Sequence, residues 1–155
     1  MKELCLVTGA GGFLGAELTK QLLNAGYAVR VLLRRAESAA NLNKTTVQIF
    51  IGDVCDRDTV KEAMKGVDFV FHVASLYEAT PFYIKCPQKI YDINLQGCEN
   101  VCEEALSAGV KKLIYTSSAG TIGRRPDGGA SDETIALNIL SQRSHYEKSK
   151  AQAEA

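Results

Sequence analysis

Leu4-Cys5-Leu6-Val7-Thr8-Gly9-Ala10-Gly11-Gly12-Phe13-Leu14-Gly15 is the stretch whose reading decides the fold. Residues 4–7 form a short apolar run of the kind that makes a buried strand, and residues 13–25 carry Leu14, Leu18, Leu22 and Leu23 at helical spacing before Gly26 ends the pattern. A strand turning through glycines into a helix brings free backbone N–H groups and the positive end of the helix dipole to one point, where a dinucleotide pyrophosphate binds. Gly9 permits the tight turn, Gly12 the close approach of backbone to phosphate, and Gly15 close packing of helix on strand, with Phe13 and Leu14 opening the helix beside the cofactor. The glycines at 9, 12 and 15 are spaced G-x-x-G-x-x-G; the alternative G-x-G-x-x-G fails because position 14 is leucine. Glycines alone are weak evidence, and their place between a strand and a helix supplies the specificity.

Outward from this unit, apolar runs alternate with amphipathic ones. Strands are expected at 28–33, 47–51, 68–74 and 112–116, and helices at 57–65 (closed by Gly66), 90–108 (closed by Gly109) and from Ser144 to the last residue, with a weak helix at 36–42. Residues 80–87 and 120–132 read as loops. The run at 68–74 is almost continuously apolar, as in a parallel sheet covered by helices on both faces. The alternation predicts an α/β fold, a Rossmann-like doubly wound parallel sheet of strand order 3-2-1-4-5, in one domain over residues 1–155. There is no solenoid repeat and no low-complexity tract.

The chain has 18 basic and 18 acidic residues, so it lacks the basic footprint of a nucleic-acid or anionic-membrane binder, and small molecules are the expected partners. The cysteines at 5, 55, 86, 98 and 102 are odd in number and form no CxxC pair, which points to reduced thiols and a cytoplasmic protein. Cys98 and Cys102 share a helical face, but nothing completes a tetrahedral set and no metal is expected. Residues 1–8 show no leader pattern, and no apolar stretch approaches membrane-spanning length.

Two further features concern chemistry. After the second strand, where an acidic residue would accept from the ribose 2′-hydroxyl of NAD, stand Arg34 and Arg35, which favour the 2′-phosphate of NADP, with NAD as the alternative. Asp53, after the third strand, could accept from the adenine amino group or cap the next helix. In Tyr146-Glu147-Lys148-Ser149-Lys150 a phenol and an ammonium lie four residues apart on one helical face, and a cationic Lys150 would favour the Tyr146 phenolate that an acid/base catalyst needs.

Together with Gly52-Asp53-Val54, Phe71-His72-Val73-Ala74, Asn94 in Asp92-Ile93-Asn94-Leu95-Gln96-Gly97, and Tyr115-Thr116-Ser117-Ser118-Ala119-Gly120, these motifs resemble, in order and over the whole chain, the extended short-chain dehydrogenase/reductases, or NAD-dependent epimerase/dehydratase family. The dihydroflavonol-reductase and cinnamoyl-CoA-reductase branch is the most similar; bacterial sugar epimerases of hopanoid synthesis are similar around Gly128 to Thr134 and His145-Tyr146.

The resemblance implies that Tyr146 is the acid/base, that Lys150 lowers its pKa and holds the nicotinamide ribose, and that Ser118 binds the substrate oxygen. Aligning Gly123 with the family's glycine puts this role on Ser118 and not Ser117. Asn94 matches the family asparagine near the active site, while Val54, Val73, Ala74 and Ser75 would line the cofactor. His72 is expected to be structural and His145 solvent-exposed. The resemblance also implies about twice this length in complete members, so the chain reads as an N-terminal part, stopping before the sixth strand, the substrate domain and helices often used for homodimers. Such a part should bind NADPH weakly and turn over little. The leading expectation is an NADP-dependent reductase of a small-molecule ketone or aldehyde. A nucleotide-sugar epimerase or dehydratase with retained cofactor is the alternative, and a non-catalytic dinucleotide-sensing regulator, which would usually lack the Tyr-Lys pair, is a third.

Overall fold

The computed structural model describes residues 2–39, 42, 46–77, 86–138 and 144–155. Five parallel strands, β1 (Leu4–Thr8), β2 (Ala28–Leu33), β3 (Val47–Ile51), β4 (Phe69–His72) and β5 (Lys112–Tyr115), form one sheet in the order β3-β2-β1-β4-β5. This is the expected doubly wound order, with β1 at the centre.

Side chains alternate across β1, so Cys5 and Val7 enter one core while Leu6 enters the other. Helix α1 (Phe13–Asn24) covers the first face, packing Leu22, and beside it Ala16, Leu18 and Leu23, against Val29, Val31 and Leu33. Helices α2 (Arg57–Met64) and α4 (Gly97–Ser107) cover the second, where Val60, Ala63 and Met64 meet Leu6, Val70, Val101 and Ala105. Each fully buried aliphatic side chain contributes about 1.5–3 kcal/mol, so β1, buried on both faces, carries much of the stability.

Several boundaries differ from the sequence expectation. The β4 ladder stops at His72, two residues short of the expected end, because the Ala74 N–H bonds the Thr8 side-chain oxygen (3.2 Å) and leaves the ladder. The weak helix at 36–42 is a 3₁₀ turn, Ala36–Ala39. The long helix begins earlier, as α3 (Gln88–Tyr91), and continues through a π turn (Asp92–Gln96) into α4. A 3₁₀ turn, Ala119–Thr121, opens the loop after β5. The last helix, α5 (His145–Glu154), starts with a capping box: the Ser144 Oγ accepts from the Glu147 N–H (3.2 Å) and the Glu147 carboxylate accepts from the Ser144 N–H (2.9 Å). Most of the expected 80–87 loop lies outside the described residues.

Candidate active site

A cleft of about 520 Å³ opens above the C-terminal ends of β1, β2 and β4, where ligands bind in doubly wound sheets. Its size is within the range of small-molecule sites.

The glycine loop forms its floor. Gly9 has φ +72°, and a Cβ there would lie 2.6 Å from the Ala74 nitrogen, so only glycine fits both the turn and the contact with the chain after β4. Gly15 packs against the loop itself, where a Cβ would come within 2.8 Å of the Ala10 Cα. Gly12 is the N-cap of α1 and has no side-chain cap, so the first-turn N–H groups of a 12-residue helix face the cleft. A Cβ on Gly12 would meet no protein atom closer than 3.4 Å. The space in front of Gly12 is open, and this donor set suits a pyrophosphate.

Every residue expected to contact the cofactor lines this one cleft: Gly9, Gly12, Phe13, Leu14 and Gly15 from the loop; Arg34 and Arg35 after β2; Asp53 and Val54 after β3; Val73, Ala74 and Ser75 after β4; Tyr146 and Lys150 from α5. Phe13 is 99% exposed at the rim. Asp53 is not a helix cap: its carboxylate accepts from the Cys55 N–H (3.0 Å), while Asp56 caps α2. Sequence reasoning missed Ser38, Leu76, Ile93 and Thr116 among the lining residues. Gly11 carried a signal for Ser38, since a Cβ at Gly11 would lie 2.8 Å from the Ser38 carbonyl oxygen. Thr116 could not be found in this way, because it acts through its main chain.

Lys150 is 2% exposed and donates to the Thr116 carbonyl (2.6 Å), and burial pushes its pKa down to about 8. Tyr146 meets the ring of Tyr77 edge-on, with centroids 4.9 Å apart.

The other two expected catalytic residues, Ser118 and Asn94, are not among the cleft-lining residues. The Ser118 Oγ accepts from the Gly120 N–H (3.1 Å) and caps the 3₁₀ turn. The neighbouring Ser117 lines the cleft, and its Oγ is buried with no hydrogen-bond partner among the described residues. Asn94, 1% exposed in the π turn, has its amide fully engaged. Its Oδ1 accepts from the Leu76 N–H (2.7 Å) and the Ser75 hydroxyl (3.1 Å), and its Nδ2 donates to the Leu76 carbonyl and the Ser149 Oγ (both 2.9 Å). Since Ser149 donates to the Tyr146 carbonyl (2.7 Å), Asn94 joins the cofactor-side segment after β4 to the helix that carries Tyr146 and Lys150.

His72 is buried, shares a hydrogen bond with the Thr8 hydroxyl (2.7 Å), and is held at a pKa of about 4, first by burial and then by the charge of Lys150. His145 departs from the expected exposure: it is half-buried, with its Nδ1 3.1 Å from the Tyr91 hydroxyl. All five cysteines are free, and among the described residues no group of three His, Cys, Asp or Glu could hold a metal. No helix among the described residues is long and apolar enough to cross a membrane.

Residues 6–155 match the sequence profile of the 3-beta hydroxysteroid dehydrogenase/isomerase family. The chain belongs to that family. Its fold and motifs are those of the extended short-chain dehydrogenase/reductases. Sterol demethylase protein B of Methylococcus capsulatus is 36% identical over 149 residues, 96% of this chain and 44% of that protein. A putative dihydroflavonol 4-reductase of Synechocystis is 34% identical over 154 residues, 99% of this chain and 44% of its own. Among solved structures, the UDP-glucose 4-epimerase of Thermus thermophilus in complex with NAD is 32% identical, with a TM-score of 0.84 over 97% of this chain and 48% of that one. The chain thus spans a little under half the length of these relatives. The names these relatives carry are those of dehydrogenases, reductases and epimerases.

Proposed function

We propose that this chain carries the cofactor-binding and acid/base part of an NADP-dependent reductase acting on a ketone or aldehyde of a small molecule. One observation carries the reading: the glycine loop, the Arg34-Arg35 pair and the Tyr146-Lys150 pair line a single cleft. A nicotinamide dinucleotide, when bound, supplies or accepts the hydride. The first-turn N–H groups of α1 would hold the pyrophosphate, and Arg34, Arg35 and Ser38 would surround the adenosine ribose. With no carboxylate after β2, two guanidiniums favour a 2′-phosphate.

Tyr146 would give its phenolic proton to the substrate oxygen during reduction and take it back in the reverse direction. Lys150, a buried cation in the same cleft, would favour the phenolate left behind and donate to the nicotinamide ribose. Ser118 would donate its O–H to the substrate oxygen while its Oγ accepts from the Gly120 N–H; Ser117, which lines the cleft, is the comparison variant. Asn94 would act by positioning, since its amide is engaged with protein groups. The odd number of cysteines and the lack of a CxxC pair support a cytoplasmic setting, and the full protein would form a homodimer.

The epimerase reading is favoured by one specific observation, the structural likeness to an NAD-containing UDP-glucose 4-epimerase. The two readings separate in one experiment on the full polypeptide. NADPH or NADH is mixed with a panel of cyclic and aromatic ketones and aldehydes, and in parallel with UDP-glucose, while reduced cofactor is followed by absorbance. Net consumption of NADPH with a carbonyl compound is the expected result. Sugar interconversion without net cofactor consumption would overturn it in favour of the epimerase.

A further inference from the structure

The sheet register brings three side chains into a row at the C-terminal ends of adjacent strands: Thr8 pairs with His72, and His72 with Tyr115. The contacts run along the row. Thr8 and His72 share the 2.7 Å hydrogen bond, the His72 ring stacks on the Tyr115 ring (centroids 5.7 Å apart, planes at 21°), and the Lys150 ammonium lies 4.3 Å over the Tyr115 ring centroid. The Tyr115 hydroxyl is buried with no hydrogen-bond partner among the described residues. Among the described residues the phenol contributes no hydrogen bond, and the ring face is what meets the lysine.

We propose that Tyr115 is a positioning residue for the active-site lysine, its ring face seating the Lys150 ammonium above the end of β5 while the stacked His72 fixes the plane of the ring. The reason lies in what a ring offers that a carboxylate does not. A buried ammonium needs compensation for lost water. The Thr116 carbonyl takes one of its three N–H donors, and among the described residues no carboxylate forms an ion pair with it. The ring quadrupole attracts the cation without consuming an N–H and without a negative charge that would oppose ionisation of Tyr146. Two donors stay available to the cleft.

The groups that face Lys150 fit this arrangement. Glu154 of its own helix favours its charge, while Cys98 of α4, whose thiol burial pushes up to about 12, and His72 of β4, kept neutral by burial, place no charge beside it. Tyr115 itself stays a neutral phenol, because burial first and then the field of Cys98 and Glu154 push its pKa well above the usual tyrosine range.

The test is a direct titration of the Lys150 side chain by heteronuclear NMR in the full polypeptide, with the signal assigned by its loss in Lys150→Arg. Tyr115→Phe keeps the ring face and should leave the Lys150 pKa within about 0.3 units of wild type. Tyr115→Leu removes the face and should lower it by about one unit. Replacing Tyr115 with pentafluorophenylalanine keeps the ring's shape and reverses its quadrupole, so it should lower the pKa by at least as much. This variant decides the matter if Tyr115→Leu does not fold. An unchanged Lys150 titration with the fluorinated ring would overturn the proposal. The catalytic meaning of the seat rests on the reductase reading, but the titration needs no substrate. Failure of that reading would appear as absent NADPH oxidation with the titration pattern intact.

Discussion

Gly12→Ala should weaken dinucleotide binding and leave the fold in place, while Gly9→Ala should strike the fold itself. Gly12 has φ −85° and ψ 173°, an extended backbone open to any residue, and a Cβ there would meet nothing closer than the Gly9 carbonyl oxygen at 3.4 Å. Its stability change is the small difference between a less favourable N-cap and a stiffer unfolded chain, each below about 1 kcal/mol. Gly9 combines two costs. Its φ of +72° is left-handed, which costs a non-glycine residue roughly 1–2 kcal/mol. Its Cβ would also lie 2.6 and 2.8 Å from the Ala74 nitrogen and Cα, and that segment is held by the bond from the Ala74 N–H to Thr8. A total of about 3 kcal/mol follows, in line with other strained or overpacked sites. Urea unfolding reads the first effect and an NADPH fluorescence titration the second. A charge-assisted hydrogen bond lost from the phosphate is worth about 1.5–3 kcal/mol, so Gly12→Ala should raise the NADPH Kd by roughly tenfold to a hundredfold. Wild-type NADPH affinity in a folded Gly12→Ala protein would refute the placement of the pyrophosphate on α1.

Three further outcomes are expected. Arg34→Ala should weaken NADPH by at least about tenfold with little change for NADH, read by parallel calorimetric titrations, because one charge-assisted contact to the 2′-phosphate disappears; equal losses for both cofactors would remove its role in selection. His72 has a folded pKa of about 4 against an ordinary value of 6.5; the unfolded chain therefore binds the extra proton between those values, and stability falls as pH drops through that window, by about 3 kcal/mol at most. Urea midpoints that are as pH-dependent in His72→Gln as in wild type would contradict this assignment. Asn94→Ala strands the Leu76 backbone groups and should cost about 2–4 kcal/mol in chemical unfolding, and Asn94→Asp should not restore stability, because it sets a buried carboxylate oxygen against the Leu76 carbonyl; an Asn94→Ala protein as stable as wild type would contradict this.

The sheet order was legible because the strands are short, mostly apolar runs separated by helical patterns, and because Thr8 to Gly15 marks the first strand-to-helix turn. The residues that line the cleft were legible for a related reason: in a doubly wound sheet the cleft lies just past the strand ends, so finding the strands nearly finds its lining. The features that escaped depend on contacts between distant segments. The π turn at Asp92–Gln96 lies inside an ordinary helical pattern, and its role emerges only when Asn94 meets Leu76 and Ser149. The half-burial of His145 depends on Tyr91, 54 residues away. At Ser117 and Ser118, two like residues are separated only by which hydroxyl finds a backbone N–H.

If Tyr146 moves the proton that accompanies hydride transfer, its phenolic oxygen is indispensable to turnover. Steady-state NADPH oxidation by the full polypeptide, with whichever carbonyl compound it turns over best, tests this in wild type and Tyr146→Phe. Turnover should fall by at least about a hundredfold, as loss of a general acid requires, with NADPH affinity changed less than about threefold. Undiminished turnover in a folded, NADPH-binding Tyr146→Phe protein would rule out Tyr146 as the proton donor.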